Sequence, residues 1–234
     1  MIKLVNISKK FDDRFIYSNF SLDISENEIT CLLGPSGIGK STLLKLLSGL
    51  SLPDSGSISG LNQKSCSYIF QEPRLLPWLT VYDNLDFVLK HHYSNSQERH
   101  AIIQHYLDLT NLSDDSARMP NELSGGMKQR VSIARAFACP FDLLLMDEPF
   151  NSLDVNLKQS IISSFINLWS HSRKTVVFVT HDVDEALALS HTIHIVRQNP
   201  AHIVYSTKIP YTLIERPHHQ NAINDIRKTI LDRL

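Results

Sequence analysis

The chain has 234 residues, 42% of them apolar and 20% charged, with a formal net charge of -1. That is enough apolar material to fill the core of one large domain, or a domain with a subdomain, without disulfide or metal staples. The near-neutral balance removes the electrostatic argument for a nucleic-acid partner. No apolar run approaches the roughly 18 residues of a membrane span, and the N-terminus lacks the order of a secretory signal.

In chain order, "IKLVNIS" and "FIYSNFSLDIS", separated by the polar "KKFDDR", read as antiparallel strands. "EITCLLGPSGIGKSTLLKLLSGL" combines a short apolar strand, a Gly-rich loop and an amphipathic helix stopped by Gly49. "SLPDSGSISG" is a turn-rich connection. From about Trp78 to Ala138 the pattern is mostly helical, with polar breaks at "HHYSNSQ" and "SDDSARMPNE". "FDLLLMDEP" and "TVVFVTHD" are continuously apolar, which suits parallel strands buried on both faces, and the helical "LDVNLKQSIISSFINLWSHS" lies between them. "TIHIVRQNPAHIVYS" reads as a hairpin turning at Asn199-Pro200, and Ile223, Ile226, Ile230, Leu231 and Leu234 are expected on one face of a terminal helix. The expected architecture is α/β: a parallel-sheet core, an N-terminal antiparallel β portion and an inserted α-helical subdomain. Cys31, Cys66 and Cys139 form no C-x-x-C pair and read as small buried residues of a reducing cytoplasm. The 11 histidines read mostly as surface residues, because no pair has a convincing ligand spacing.

Three core strands end directly in polar residues, at Gly34, at Asp147-Glu148 and at His181-Asp182. In open parallel sheets ligands bind beyond the carboxyl ends of the strands, so these ends are expected to converge on one site. "GPSGIGKS", Gly34 to Ser41, fits G-x-x-x-x-G-K-[ST], the phosphate loop of P-loop nucleotide-binding proteins. Its three glycines, Gly34, Gly37 and Gly39, let the backbone around Pro35, Ser36 and Ile38 curl its N–H groups onto phosphate oxygens. Lys40 supplies a point charge for the outer phosphates, Ser41 a hydroxyl for Mg²⁺, and Thr42 a further hydroxyl at the helix start. Asp147 is suited to orient Mg²⁺ and Glu148 to polarise an attacking water, neighbouring strand residues pointing oppositely. His181 is expected near the same phosphates, able to sense the γ-phosphate and hold the water. Gln71, in "IFQEPRLLPW", carries an amide able to reach metal and water, although the bare sequence fits an ordinary loop glutamine better. A second anion-holding helix start stands at "NELSGGMKQR", with a helix expected from about Met127.

Taken together these residues resemble the ATP-binding subunits of ABC transporters over nearly the whole chain. Gly34–Thr42 looks like the Walker A loop, Gln71 like the Q-loop residue, Leu123–Gln129 like the signature sequence, and Leu143–Glu148 like Walker B with its glutamate. "NSLD", from Asn151 to Asp154, resembles the D-loop, His181 the switch histidine, and Phe11 the aromatic that stacks on adenine. The resemblance implies one ATP-binding domain over 1–234, with a core of about 1–77 and 140–234 and a helical subdomain of about 78–139. It implies ATP and Mg²⁺ as ligands. It also implies a second copy whose ATP is faced by Ser124, Gly125 and Gly126, and a place on the cytoplasmic face of the membrane. "FQEPRLLPWLTVYDNL" further resembles importer ATPases for nitrate, taurine, alkanesulfonates and thiamine precursors, with a permease met near Gln71–Trp78 and a separate solute-binding protein.

There are departures. Asn151 and Ser152 replace the Gly and Ala usual in that branch, and the stretch between Gly60 and Phe70 is several residues short, so the antiparallel β portion is expected to be trimmed there. Export, a non-transport ABC-type ATPase and a non-hydrolysing scaffold are the competing readings. The chain has neither the coiled coil nor the fused second ATP domain of the non-transport groups. Intact Lys40, Asp147, Glu148 and His181 speak against the scaffold.

Overall fold

The computed structural model describes residues 1–61, 64–151, 155–198 and 200–234. In chain order its elements are β1 (Ile2–Phe11), β2 (Arg14–Ile24), β3 (Ile29–Leu33), α1 (Lys40–Leu47), β4 (Ser55–Ser59), β5 (Cys66–Ile69), α2 (Val81–Leu89), α3 (Ser96–Leu109), α4 (Gly125–Ala138), β6 (Leu143–Asp147), α5 (Val155–Ser172), β7 (Thr175–Thr180), α6 (Val183–Leu189), β8 (Thr192–Arg197), β9 (His202–Lys208) and α7 (Gln220–Leu231). They pack as two compact units. One comprises Met1–Lys64, Leu145–Glu148 and Lys174–Leu234, and the other Ser65–Leu144 and Pro149–Arg173.

The first unit is built on two sheets. In the smaller, β1 pairs antiparallel with both β2 and β4. In the larger, the order β6-β7-β3-β8-β9 puts β3 at the centre, parallel to β7 and β8, while β9 closes the edge antiparallel to β8. All five residues of β3 and all six of β7 are buried, as their unbroken apolar sequences require of strands covered on both faces. The hairpin partners in β8 and β9 are as expected, and Asn199 in its turn lies outside the described residues. The C-terminal segment is fastened by Arg216, whose buried guanidinium donates to the carbonyls of Leu187 and Ser190 at 2.6 Å each. Arg227 adds a 2.8 Å ion pair to Asp184. In α7 only Ile230 is fully buried; Ile223 and Ile226 are half-buried beside it. Leu231 and Leu234 are exposed, contrary to the single apolar face expected. The helix ends at Leu231, and one further step of about 100° turns that side chain away from Ile230.

The second unit has its own apolar centre, in which Val81, Leu85 and Leu89 of α2 meet Ile103 and Leu107 of α3 and Val131, Ala134 and Ala138 of α4. Their spacing by three and four residues is what places them on one stripe of each helix. Asn84, fully buried, ties the preceding loop down: its amide donates to the carbonyls of Leu76, Leu79 and Thr80 and accepts from the Leu76 N–H. The cysteines are not uniformly buried: Cys31 is, Cys139 is half-buried, and Cys66 is exposed on β5.

Candidate functional site

The carboxyl ends of β3, β6 and β7 do converge. Ser41, second residue of α1, donates its hydroxyl to Asp147 Oδ1 at 2.9 Å. Lys40 approaches Glu148 Oε1 at 3.6 Å, and His181 Nδ1 lies 3.0 Å from Glu148 Oε2. The Glu148 carboxylate thus stands between an ammonium and an imidazole. Strand β7 supplies the main-chain ties. Glu148 N–H donates to the Val179 carbonyl at 3.0 Å, and Gly34 N–H to the Thr180 carbonyl at 3.2 Å. Two adjacent carbonyls of one strand therefore fix the first residue of the Gly-rich loop and the acid at the end of β6.

The loop is shaped by its glycines. At Gly39, φ is 105°, a left-handed conformation that disfavours any side chain, and a Cβ there would stand 2.3 Å from Ile16 Cγ2. At Gly34 a Cβ would meet the Val196 carbonyl oxygen at 2.4 Å, a backbone atom with no freedom to yield. Tyr17, fully buried, donates its hydroxyl to the Gly39 carbonyl at 2.8 Å. Helix α1 begins directly after this loop with no side-chain cap and no acid in its first turn, so its N-terminal amides and dipole face outward toward anions. The Lys40 ammonium is nearly buried and donates to the Gly34 and Pro35 carbonyls at 2.7 and 2.8 Å. Burial pulls its pKa below the ordinary lysine value, and the Glu148 carboxylate pulls in the opposite direction. Glu148 itself has a positive φ of 44°, uncommon outside glycine and asparagine and a form of strain that clusters at functional positions.

Pro35, Ser36, Gly37, Ile38 and Thr42 complete the loop and the first turn of the same unit, and Phe11 ends β1 there with 52% of its surface exposed, the Lys9 ammonium 5.6 Å from its ring centre. The other expected residues belong to the second unit. Gln71 is exposed in the loop after β5, and Trp78, 69% exposed, stands just before α2. Ser124 is the N-cap of α4, which starts at Gly125 rather than near Met127; the Ser124 hydroxyl accepts from the Met127 N–H. The helix itself offers no partner to the amides of Gly125 and Gly126. A Cβ at Gly126 would stand 2.2 Å from Leu157 Cδ2, so the close approach of α5 demands glycine. Of the expected D-loop, Ser152, Leu153 and Asp154 lie outside the described residues.

Sequence reasoning missed Tyr17, Thr180 and Glu185. Thr180 and Glu185 had a signal. "DVDE", Asp182 to Glu185, has the form of a helix-start capping box, in which the glutamate returns to the N-cap amide. Asp182 does cap α6, accepting from the Asp184 and Glu185 amides. Glu185 instead takes the Thr180 hydroxyl at 2.6 Å, and that hydroxyl accepts from the Asp182 N–H at 3.0 Å.

A Gly-rich loop between a buried parallel strand and a helix, with acids and a histidine at the neighbouring strand ends, defines a P-loop nucleotide-binding protein of the α/β class. Residues 17–151 match the family model described as ABC transporter. The chain is 40% identical to the nitrate import ATP-binding protein NrtD of Synechocystis sp., over 79% of this chain and 72% of that one. It is 34% identical to the aliphatic sulfonates import ATP-binding protein SsuB of Bacillus cereus, over 99% of this chain and 95% of that one. Among solved structures it resembles a dimeric, post-hydrolysis state of the ATP-binding cassette MJ0796 bound to ADP and Pi, with a TM-score of 0.78 and 29% identity over 91% of this chain and 100% of that one. The chain belongs to the ABC transporter ATP-binding family and is an ATPase.

Proposed function

We propose that this ATPase powers import of a small solute, of the nitrate, sulfonate, taurine or thiamine-precursor kind, through a separate membrane permease. Its importer-named relatives support the direction. The observation that carries the enzymatic part is the meeting of Lys40 and His181 around the Glu148 carboxylate. We assign the whole chain to one ATP-binding domain, with a nucleotide core of about 1–77 and 140–234 and a helical subdomain of about 78–139.

In this reading the amides from Gly34 to Thr42 cradle the phosphates, Lys40 moves from the loop carbonyls to the outer phosphate oxygens, and Phe11 stacks on adenine. Ser41 and Asp147 present hard oxygen donors close together, the donor set that suits Mg²⁺ held by one or two protein oxygens and the phosphates. The ion would supply charge neutralisation on the phosphates. Glu148 accepts a proton from the attacking water. His181 holds that water and the γ-phosphate in line, and the Gln71 amide is suited to metal and water. Ser124, Gly125 and Gly126 close on the ATP of a second copy, since one phosphate loop already serves the chain's own nucleotide. The apolar, exposed Trp78 anchors the permease-facing surface from Gln71 to Trp78 on the cytoplasmic side, with a solute-binding protein delivering the solute. Among the described residues no helix is long and apolar enough to cross a membrane.

The test is reconstitution. The membrane protein that copurifies with the chain is placed in liposomes and offered nitrate, taurine, an alkanesulfonate and a thiamine precursor. ATP-dependent accumulation of one of these, lost with Lys40→Ala, is the expected result. ATP-dependent extrusion would reverse the assigned direction, and hydrolysis with no movement of any solute would remove the importer reading.

A further inference from the structure

A buried carboxylate underlies the exposed histidine of the site. Glu185 is 2% exposed and Thr180 is 1% exposed, whereas the His181 side chain is 48% exposed. A carboxylate so removed from water is costly unless it is hydrogen-bonded, and its 2.6 Å bond from the Thr180 hydroxyl is of the short, charge-assisted kind. The same hydroxyl accepts from the Asp182 N–H. Thr180 and Asp182 are the two chain neighbours of His181, so one hydroxyl spans the residue from both sides. A threonine at the end of a strand with its hydroxyl engaged twice has one rotamer left. The Thr180 carbonyl also holds the Gly34 N–H. The charge on Glu185 reaches beneath the phosphate loop as well, where it adds to the effect of burial in pushing the Cys31 thiol far above its ordinary value.

We propose that Thr180 and Glu185 are positioning residues for ATP hydrolysis, acting through the Thr180 hydroxyl on the backbone that aims His181 at Glu148. The proposal rests on the reading of His181 as a residue of the reaction. An exposed imidazole whose contact of interest is a single carboxylate owes its direction to its main chain. Here that main chain is pinned on one side by the strand and on the other by the N-cap of α6. Removing the hydroxyl takes this acceptor from the Asp182 amide and this donor from Glu185, so the turn between β7 and α6 relaxes and the imidazole loses its aim.

Three variants test it, measured on the full chain: Thr180→Val, which removes the hydroxyl at nearly constant volume, Thr180→Ser, which retains it, and Glu185→Gln, which retains shape but not charge. Thr180→Val should lower kcat for Mg-ATP about tenfold or more, the scale of partners that orient a reacting group, with nucleotide affinity unchanged. Thr180→Ser should recover most of that loss, and Glu185→Gln should fall between. In chain labelled at histidine, the His181 ring signal, identified by its loss in His181→Gln, should move in Thr180→Val and Glu185→Gln while the other histidine signals stay. Adding Thr180→Val to His181→Gln should cost less than about twofold in any remaining turnover, because the path already lacks its end. An unmoved His181 signal in both variants, or an equal loss of turnover with and without His181, would overturn the proposal. If Thr180→Val does not fold, the Glu185→Gln signal decides alone. Full turnover by His181→Gln would instead overturn the underlying reading of the site, whatever the spectra show.

Discussion

His181 Nδ1 lies 3.0 Å from Glu148 Oε2, joining the ends of β7 and β6 across the site. An ionised carboxylate only accepts hydrogen bonds, so the imidazole donates from Nδ1. In the proposed reaction its Nε2 is the ring atom left to face water or a phosphate oxygen. The pairing leaves Glu148 held on both sides, by His181 and by Lys40.

Glu148→Gln keeps the shape of this contact and removes the proposed base. Turnover of Mg-ATP should fall at least about 100-fold, with nucleotide affinity kept, in line with the usual worth of a general base. Phosphate release and equilibrium binding measured on the same preparation check both halves. Normal turnover would take the base role away from Glu148.

Gly39→Ala should abolish nucleotide binding at micromolar concentration and lower the melting temperature, because φ of 105° and Ile16 at 2.3 Å both oppose a Cβ. Gly37→Ala is the matched control. It meets φ of 80° with nothing within 4 Å of the added carbon, so it carries the backbone strain without the clash. Fluorescent-nucleotide titration of the two should rank Gly39→Ala as the more severe; the reverse order would show that strain, not crowding, dominates the loop.

His194, next to Ser206 and with its Nε2 buried and unpartnered, is pulled by burial from its ordinary 6.5 to about 4. The unfolded chain therefore binds a proton between those values that the folded chain refuses. Its contribution is whole above pH 6.5 and is lost as pH falls toward 4, an upper figure of about 3 kcal/mol. Denaturant unfolding of His194→Gln against the parent between pH 4 and 7 should give a flatter dependence on pH in the variant. Parallel curves would contradict it.

Arg216 satisfies two carbonyls at the end of α6 while itself buried. Arg216→Ala should cost about 2–4 kcal/mol in unfolding free energy, the scale for stranding buried polar partners. Chemical denaturation reads it directly, and a loss under about 0.5 kcal/mol would show that water replaces the guanidinium there.

The parallel core was legible because β3 and β7 are short unbroken apolar runs, and the phosphate loop because its residue types are dictated by backbone geometry at Gly34 and Gly39. Strand ends that share a site announce themselves by polar residues after apolar ones, which is why Asp147, Glu148 and His181 stood out together. The contacts that hold the site were harder to read. Tyr17 reaches Gly39 across 22 positions, a pairing that only tertiary folding creates. Glu185 had a local signal, but its capping pattern is rerouted through Thr180, and nothing in the spacing tells that a hydroxyl intervenes. The face of α7 was misjudged because Leu231 is turned about 100° from Ile230 and Leu234 lies beyond the helix end at Leu231.

In the proposed function two copies of the chain complete each other's sites, Ser124, Gly125 and Gly126 of one closing on the phosphate loop of the other. Sedimentation of Glu148→Gln with and without Mg-ATP tests it most directly. The expected result is a monomer without nucleotide, a dimer with it, and loss of that dimer, with ATP still bound, when Ser124→Arg is added. An ATP-bound monomer in Glu148→Gln, or a dimer indifferent to Ser124→Arg, would contradict the claim.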